Sequence, residues 1–371
     1  MQTRIQKVDR NIPDCYFPNI SILPEKERGR LMTITRMRFE NFTAFKELDV
    51  QLSPGINVFV GANGTGKTHL MKVAYSACDI SKTKMAFAEK LIRVFLPSRR
   101  ALGRLVKRQK TSSRGSIEIY RGTLKLRISF SNHATVPDSA KVTGRKDWAS
   151  KPVESVFIPV KEMLSNAPGF RSLYSQREIH FEEIYADIID RAYRPALRGP
   201  VDKERKKLLA NLQKLINGKV TIKDEEFFLK NKQGNLEFTL LAEGMRKLGL
   251  LWLLIQNGTL LNGSVLFWDE PETNLNPTLF GPLIEILLEL QRMGVQVFLA
   301  THDYVILKEI DLRMKPGDKV MFHSLYRDKD GGEVLCHSTS EYLRIHPNAI
   351  AATFADLYNR ELERSMEAIS R

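Results

Sequence analysis

The sequence predicts an α/β fold, and three short segments carry that prediction. The apolar run Ile56–Val60 leads directly into GANGTGKT at residues 61–68, and a helically spaced stretch follows, with Leu70, Met71, Val73 and Ala74 apolar. Val265–Trp268 is a second apolar strand, ending in Asp269 and Glu270. Val297–Ala300 is a third, ending in Thr301-His302-Asp303. Strands that alternate with helices and carry polar residues at their C-terminal ends are the pattern of an open sheet with its site along that edge.

Composition bounds the rest. A chain of 371 residues, 43% apolar, suggests two or three domains and a sizeable core. The longest apolar run, Leu248–Ile255, is broken by Gly249 and stops at Gln256, which is too short to cross a bilayer and reads as a buried helix. The first residues, MQTRIQKVDRNIPD, lack the apolar segment of a signal peptide. Cys15, Cys78 and Cys336 are far apart and odd in number, so no disulfide framework is expected and a reduced, cytoplasmic setting fits. The net charge is +14, and residues 81–120 concentrate it, with eleven Lys/Arg against two Glu. Such a local excess attracts polyanions.

Along the chain, residues 1–30 read as an extension punctuated by Pro13, Pro18 and Pro24. Residues 31–170 read as a first lobe. It holds a strand through Ile34, Met37, Phe39 and Phe42, the glycine-rich loop, a basic helical stretch over 81–114, a hairpin about Arg121-Gly122, a polar loop over 131–150 and a strand over Val153–Val160. Residues 171–235 read as a charged helical insertion projecting from the core, broken at Pro195, Gly199 and Pro200. Its helix over 201–217 carries a stripe of Leu208, Leu209, Leu212, Leu215 and Ile216, which suits packing on the body or a partner. Residues 236–340 return to strand–helix alternation, with a hairpin about Asp330-Gly331-Gly332, and 341–371 form a helical tail. Asp328-Lys329-Asp330 has the spacing of a metal-binding DxD, but its place before two glycines is that of a turn. A chain with about 40 residues remaining is too short there for a Toprim nuclease domain.

Residues 61–68 match GxxxxGK[ST] at every fixed position, between a strand and a helix. The glycines let the backbone curl so that N–H groups of Asn63, Gly64, Thr65 and Gly66 point inward at phosphates, and the helix N-terminus adds partial positive charge. Lys67 is expected to neutralise β- and γ-phosphates and Thr68 to ligate Mg²⁺. Asp269, fixed by its buried strand, can hold the same Mg²⁺, and Glu270 can orient or deprotonate an attacking water. His302, at another strand end, can reach the γ-phosphate. Leu241-Ala242-Glu243-Gly244-Met245 opens a long apolar helix whose N-terminus offers N–H groups to an anion.

This order of segments resembles the ABC ATPase family, in the branch of RecF, Rad50, SMC and OLD proteins, and implies an ABC-type P-loop NTPase with a charged helical insertion. ITRMRFENFTAFKELDVQLSPGINVFVGANGTGKTHL resembles the first lobe of that branch. The family's Walker A falls on Gly61–Thr68, its Walker B on Asp269 and Glu270, its signature on Leu241–Met245, its D-loop on Glu272–Leu275 and its switch histidine on His302. WDEPETNLNP resembles the DEPExxLHP run of OLD-like ATPases, with Asn276 where His is usual. FIPVKEML and AEGMRKLGLL resemble ATPase subunits of Septu- and PARIS-type anti-phage systems. Two departures stand out. Ala242 replaces the usual serine of the signature, a loss for which Arg246 or Lys247 would have to substitute. The Q-loop has two candidates, Glu162 and Gln176.

The resemblance implies that Ala242, Glu243 and Gly244 of one copy face the nucleotide of another, so a homodimer or higher homo-oligomer assembles through ATP and Mg²⁺ sites. Hydrolysis by Glu270 and His302 would then control a separate effector protein, for which a nuclease is one candidate, in anti-phage defence. Two alternatives differ in class. A RecF-like repair ATPase would act on DNA directly, and the basic segment 84–110 is the candidate nucleic-acid contact. A transporter's nucleotide-binding subunit would need a stricter LSGGQ and a clear Q-loop.

Overall fold

The computed structural model describes residues 33–177, 179–328 and 331–369. The expected extension over 1–30 and the DxD aspartate Asp330 lie outside the described residues. In chain order the first elements are strands β1 (Arg36–Phe42), β2 (Phe45–Gln51) and β3 (Ile56–Val60), then helices α1 (Lys67–Asp79) and α2 (Phe87–Phe95). The hairpin β4 (Arg114–Arg121) and β5 (Leu124–Ser131) follows, then β6 (Lys141–Thr143), α3 (Arg145–Ala149) and β7 (Ser155–Ile158). Next come α4 (Phe170–Arg177), α5 (Glu183–Ala192), α6 (Lys203–Leu215), then β8 (Lys219–Lys223), β9 (Glu226–Asn231) and β10 (Gly234–Glu237). The chain continues with α7 (Glu243–Gln256), β11 (Val265–Asp269), α8 (Phe280–Arg292), β12 (Gln296–Ala300) and α9 (Tyr304–Arg313), and closes with β13 (Val320–Arg327), β14 (Val334–Thr339) and α10 (Ala349–Ile369).

The central sheet has the order β14-β13-β3-β12-β11-β7. All its neighbours run parallel except β13 and β14. Side chains alternate between two cores on its faces. On β3, Ile56, Val58 and Val60 point into one core and Phe59 into the other; on β11, Leu266 and Trp268 oppose Val265 and Phe267; on β12, Val297 and Leu299 oppose Phe298 and Ala300. The first core is closed by α7, α8 and α9, and the second by α1, α2 and the antiparallel sheet β2-β1-β4-β5-β6. Buried Gln296 joins the two sheets: its amide exchanges hydrogen bonds with the Ile34 backbone, both at 2.8 Å, and donates to Ser53 O at 2.7 Å.

Several segments differ from the sequence reading. The stretch 81–114 is helical only over Phe87–Phe95, then becomes two short 3-10 turns, because Pro97 ends the helix and Arg99 and Arg100 adopt positive φ. The polar stretch 131–150 contains β6 and α3, on which Trp148 is fully buried under the Arg121 guanidinium, 3.9 Å from the ring centroid. The insertion does not project: Ile188 and Ile189 of α5 and Leu208, Leu212 and Ile216 beside α6 are buried in the first core, and Ile184 of α5 in the second. Nor is it helical throughout, since β8, β9 and β10 form a three-stranded antiparallel sheet, with Val220, Phe227 and Leu229 turned inward.

Candidate functional site

The three strand ends singled out in the sequence are neighbours in space, because β3, β12 and β11 lie side by side. The loop after β3 turns through Gly61, Gly64 and Gly66, all at positive φ. A Cβ on Gly66 would lie 2.6 Å from the Phe45 ring, and one on Gly61 2.0 Å from Leu325 O, so both positions also need the missing side chain. Asn63 and Gly64 are exposed at the tip, and Thr65 Oγ1 ties the loop to Ala62 O at 2.9 Å. Lys67 Nζ donates back to Gly61 O at 2.8 Å and Ala62 O at 3.1 Å, holding the ammonium at the mouth of the loop. Burial lowers the Lys67 ammonium to about 8, against the pull of Asp269, Glu270 and Glu272.

Thr68 Oγ1 donates to Asp269 Oδ2 at 2.9 Å, across 201 residues of sequence. Asp269 is 5% exposed, and burial lifts its carboxyl to about 6, partly offset by the Thr68 hydrogen bond. A hydroxyl and a carboxylate meeting beside a glycine-rich loop are hard oxygen donors of the kind magnesium takes, alongside phosphate oxygens. Glu270 follows with φ +48, a left-handed conformation costly for a residue with a Cβ, held by its N–H bond to Ala300 O at 2.9 Å. Glu270 Oε1 stands 3.7 Å from His302 Nε2. Burial first, then Lys67, lowers the His302 imidazole, so it is neutral at pH 7 and the pair is not an ion pair. Strand C-termini thus gather an ammonium, a hydroxyl, two carboxylates and an imidazole, a set able to bind a polyphosphate and activate a water.

Glu272, placed by the sequence only at the start of the D-loop, organises this edge. It is raised by burial, and its Oε1 accepts from Thr301 Oγ1 at 2.8 Å and from His302 N at 2.9 Å, fixing the loop that carries the imidazole. Only its place in the DEPE run hinted at it. Arg327 Nη2, which donates to Gly64 O at 3.2 Å, gave no sequence signal at all. A cavity of about 180 Å³ lies between loop residues 61–63 and the start of α10.

The candidate signature lies on the next layer. Ala242 is exposed at the N-cap of α7, and Glu243, the first helical residue, has its side chain pinned: Oε1 accepts from Glu162 N at 3.2 Å and Oε2 from Asn274 Nδ2 at 2.8 Å. Gly244 is buried, and a Cβ there would meet Asn274 O at 2.5 Å. Its lack of a side chain therefore serves packing against the chain's own 272–275 loop. The expected replacement of the signature serine by Arg246 or Lys247 does not hold. Arg246 is turned to Glu162, Nε to Oε2 at 2.7 Å, and to Phe238 O. Lys247 is 1% exposed and donates to Thr273 O at 2.9 Å. The same contacts bear on the Q-loop. Glu162 follows β7 but is spent on Arg246 and the Leu164 N–H, and Gln176 is exposed on α4; neither is a hydrogen-bond partner of Thr68 or Asp269.

The basic segment is divided. Phe87 is fully buried, and Phe95 packs edge-on to Phe42 at 5.7 Å, so both rings serve the core. Arg99, Arg104, Arg108 and Lys110 are exposed.

Fold and strand-end chemistry together define a P-loop ATPase of mixed α/β type. A sequence-family profile described as "AAA domain, putative AbiEii toxin, Type IV TA system" matches residues 56–308, and a second, described as "AAA domain", matches 36–73. The first match covers more than half of the sequence, so the chain belongs to that AAA-domain family. It is similar to DNA replication and repair protein RecF of Corynebacterium jeikeium, 36% identical over 62 residues, covering 17% of this chain and 15% of that one. RecF of Enterobacter sp. (strain 638) is 30% identical over 109 residues, covering 29% of this chain and 30% of that one. The matched segments thus span less than a third of either RecF. Among solved structures, an SMC head bound to the C-terminal winged-helix domain of ScpA superposes with a TM-score of 0.51 and 13% identity, over 83% of this chain and 97% of that one, a likeness of fold. No helix among the described residues is long and apolar enough to cross a membrane.

Proposed function

We propose that the chain is a cytoplasmic ABC-type ATPase that binds and hydrolyses ATP with Mg²⁺, closes as a head-to-tail homodimer, and acts as sensor or scaffold for a separate effector in anti-phage defence. The observation that carries the nucleotide reading is the 2.9 Å contact between Thr68 and Asp269. In this reading the loop amides of residues 63–66 and Lys67 hold the triphosphate. Magnesium, taken up by the oxygens of Thr68 and Asp269, supplies charge neutralisation at the β- and γ-phosphates. Glu270 orients and deprotonates the attacking water, and neutral His302 donates a hydrogen bond toward the γ-phosphate. Ala242 and the N-terminus of α7 close the site of a second copy.

The defence role is supported by the resemblance to Septu- and PARIS-type subunits and by a family description that includes a toxin of a toxin–antitoxin system. A partner is supported by the SMC-head relative, whose structure contains a ScpA domain. The similarity to RecF favours a second reading, direct action on DNA, with Arg99, Arg104, Arg108 and Lys110 as phosphate contacts. DNA-stimulated ATP turnover by the isolated chain selects the second reading, and its absence, with a stable complex formed by a neighbouring-gene product, the first. For dimerisation, light scattering of Glu270→Gln should show doubled mass on adding MgATP, while Lys67→Ala stays unchanged. A Glu270→Gln chain that keeps its mass at saturating ATP overturns the closed-dimer reading.

A further inference from the structure

Glu270 stands at the end of β11 with little to hold its side chain. Its carboxylate is half-buried, and His302 Nε2 at 3.7 Å is beyond hydrogen-bond reach. A donor that does reach it is the hydroxyl of half-buried Thr273, Oγ1 to Oε2 at 3.2 Å. Local structure brings the two together. Thr273 N donates to Glu270 O at 3.1 Å, closing a four-residue turn with Pro271 at its second position, where the fixed φ of the ring is favoured. The turn folds the threonine hydroxyl back onto the carboxylate.

The far side of this turn rests on α7. Lys247 Nζ donates to Thr273 O at 2.9 Å, Asn274 Nδ2 donates to Glu243 Oε2 at 2.8 Å, and Gly244 leaves room for Asn274 O. Lys247 is the costly member of this set. It is 1% exposed, and burial lowers its ammonium, against the pull of Glu243, Glu272, Glu162 and Glu270. The helix around it is apolar, with Leu248, Leu250, Leu251, Leu254 and Ile255 in the first core. Packing alone therefore does not call for a cation, and a methionine would fill the space without the desolvation penalty. What the ammonium adds is its grip on the Thr273 carbonyl.

We propose that Thr273 is a positioning residue for Glu270 and that Lys247 holds Thr273 in place, so that α7 sets the orientation of the carboxylate that activates water. The inference rests on the ATPase reading of the site and adds to it two residues that need not touch the nucleotide. The physical reason is conformational freedom. A glutamate side chain has several rotatable bonds, and left unheld it spreads over many rotamers. A base must lie within hydrogen-bond reach of the water it activates, and a misplacement of about 1 Å costs about 100-fold in rate. The Thr273 hydroxyl engages Oε2 and leaves Oε1, the oxygen toward His302, to take the proton of the water.

The test separates the hydroxyl of Thr273 from its methyl. Thr273→Val keeps the shape and loses the donor, whereas Thr273→Ser keeps the donor and loses the methyl. Steady-state hydrolysis by the full chain should show kcat lowered about 10- to 100-fold in Thr273→Val, with the MgATP dissociation constant within about twofold of wild type, and kcat restored in Thr273→Ser. A packing role predicts the reverse order. Lys247→Met should lower kcat to a similar extent, and adding Thr273→Val to it should cost little more, as for residues that act through one contact. Without nucleotide or metal, hydrogen exchange at the amides of residues 272–276 should be about tenfold faster in Lys247→Met. A Thr273→Val chain with wild-type kcat, equal losses in the valine and serine variants, or exchange unchanged by Lys247→Met overturns this proposal alone. A wild-type chain that binds MgATP without hydrolysing it overturns the ATPase reading, and the proposal with it.

Discussion

Replacing Asp269 by asparagine should make the nucleotide-free protein more stable while disabling it. Asp269 is 5% exposed, and burial raises its carboxyl from 3.8 to about 6. A raised pKa means that the fold prefers the neutral acid. Its handicap is therefore absent below the unfolded value near 3.8, grows between 3.8 and 6, and is complete above 6. A shift of about two units corresponds to about 3 kcal/mol, so the wild type carries a burden of that order at pH 8. Asparagine has the same shape and keeps a carbonyl for the Thr68 hydroxyl, so the packing term is nearly unchanged. Differential scanning calorimetry without nucleotide or metal should place Asp269→Asn several degrees above wild type at pH 8, with the gain shrinking toward pH 4. Removing the charge also removes the strongest attraction for a divalent cation, and Mg²⁺-dependent ATP affinity should fall by about 100-fold or more. A variant less stable than wild type at pH 8, or a gain independent of pH, would refute the claim that the fold bears the cost of this carboxylate for its function.

Two further outcomes follow from the same chemistry. Affinity for MgATP should peak between two limbs, falling below pH 6 as Asp269 protonates and above pH 8 as Lys67 loses its proton, measurable by titration of a fluorescent ATP analogue across pH 5–9; a flat profile counts against both assignments. Lys90 is 1% exposed and sits 2.9, 3.0 and 2.7 Å from Asp79, Glu183 and Asp187, joining α1, α2 and α5, so Lys90→Met should cost about 3–5 kcal/mol in urea unfolding, and a loss under 1 kcal/mol would show the cluster to be dispensable.

Legibility followed periodicity and fixed spacing. The strands β3, β11 and β12 were readable because each is an unbroken apolar run, as a parallel strand covered on both faces must be. The 61–68 loop was readable because its glycines and lysine sit at fixed spacing. The helix expected across 81–114 failed beyond Phe95, since basic residues suit a helix and a solvated turn equally, and only Pro97 marked the stop. The sheet β8–β10 was hidden by its charge: Lys219, Lys223, Glu226, Lys230 and Glu237 occupy its outward positions and mask the alternation of Val220, Phe227 and Leu229. Composition could say that residues 171–235 are charged, but not that α5 lies beneath them in the core. At the site, partners distant in sequence were the illegible part. Nothing local announced that Arg246 would be taken by Glu162, or that Lys247 would support the Thr273 carbonyl.

The central claim is that the loop of one copy and the signature turn of another close on a single nucleotide. Asn63 and Ala242 are both exposed, and the proposed closure would bring Asn63 of one copy to Ala242 of the other. Mixing an Asn63→Cys chain with a differently tagged Ala242→Cys chain, both carrying Glu270→Gln and lacking Cys15 and Cys336, allows a short bis-maleimide to join them only if the two faces meet. The account predicts a mixed-tag covalent dimer that appears with MgATP and is absent with ADP. A yield of that dimer that is the same with and without ATP would contradict it.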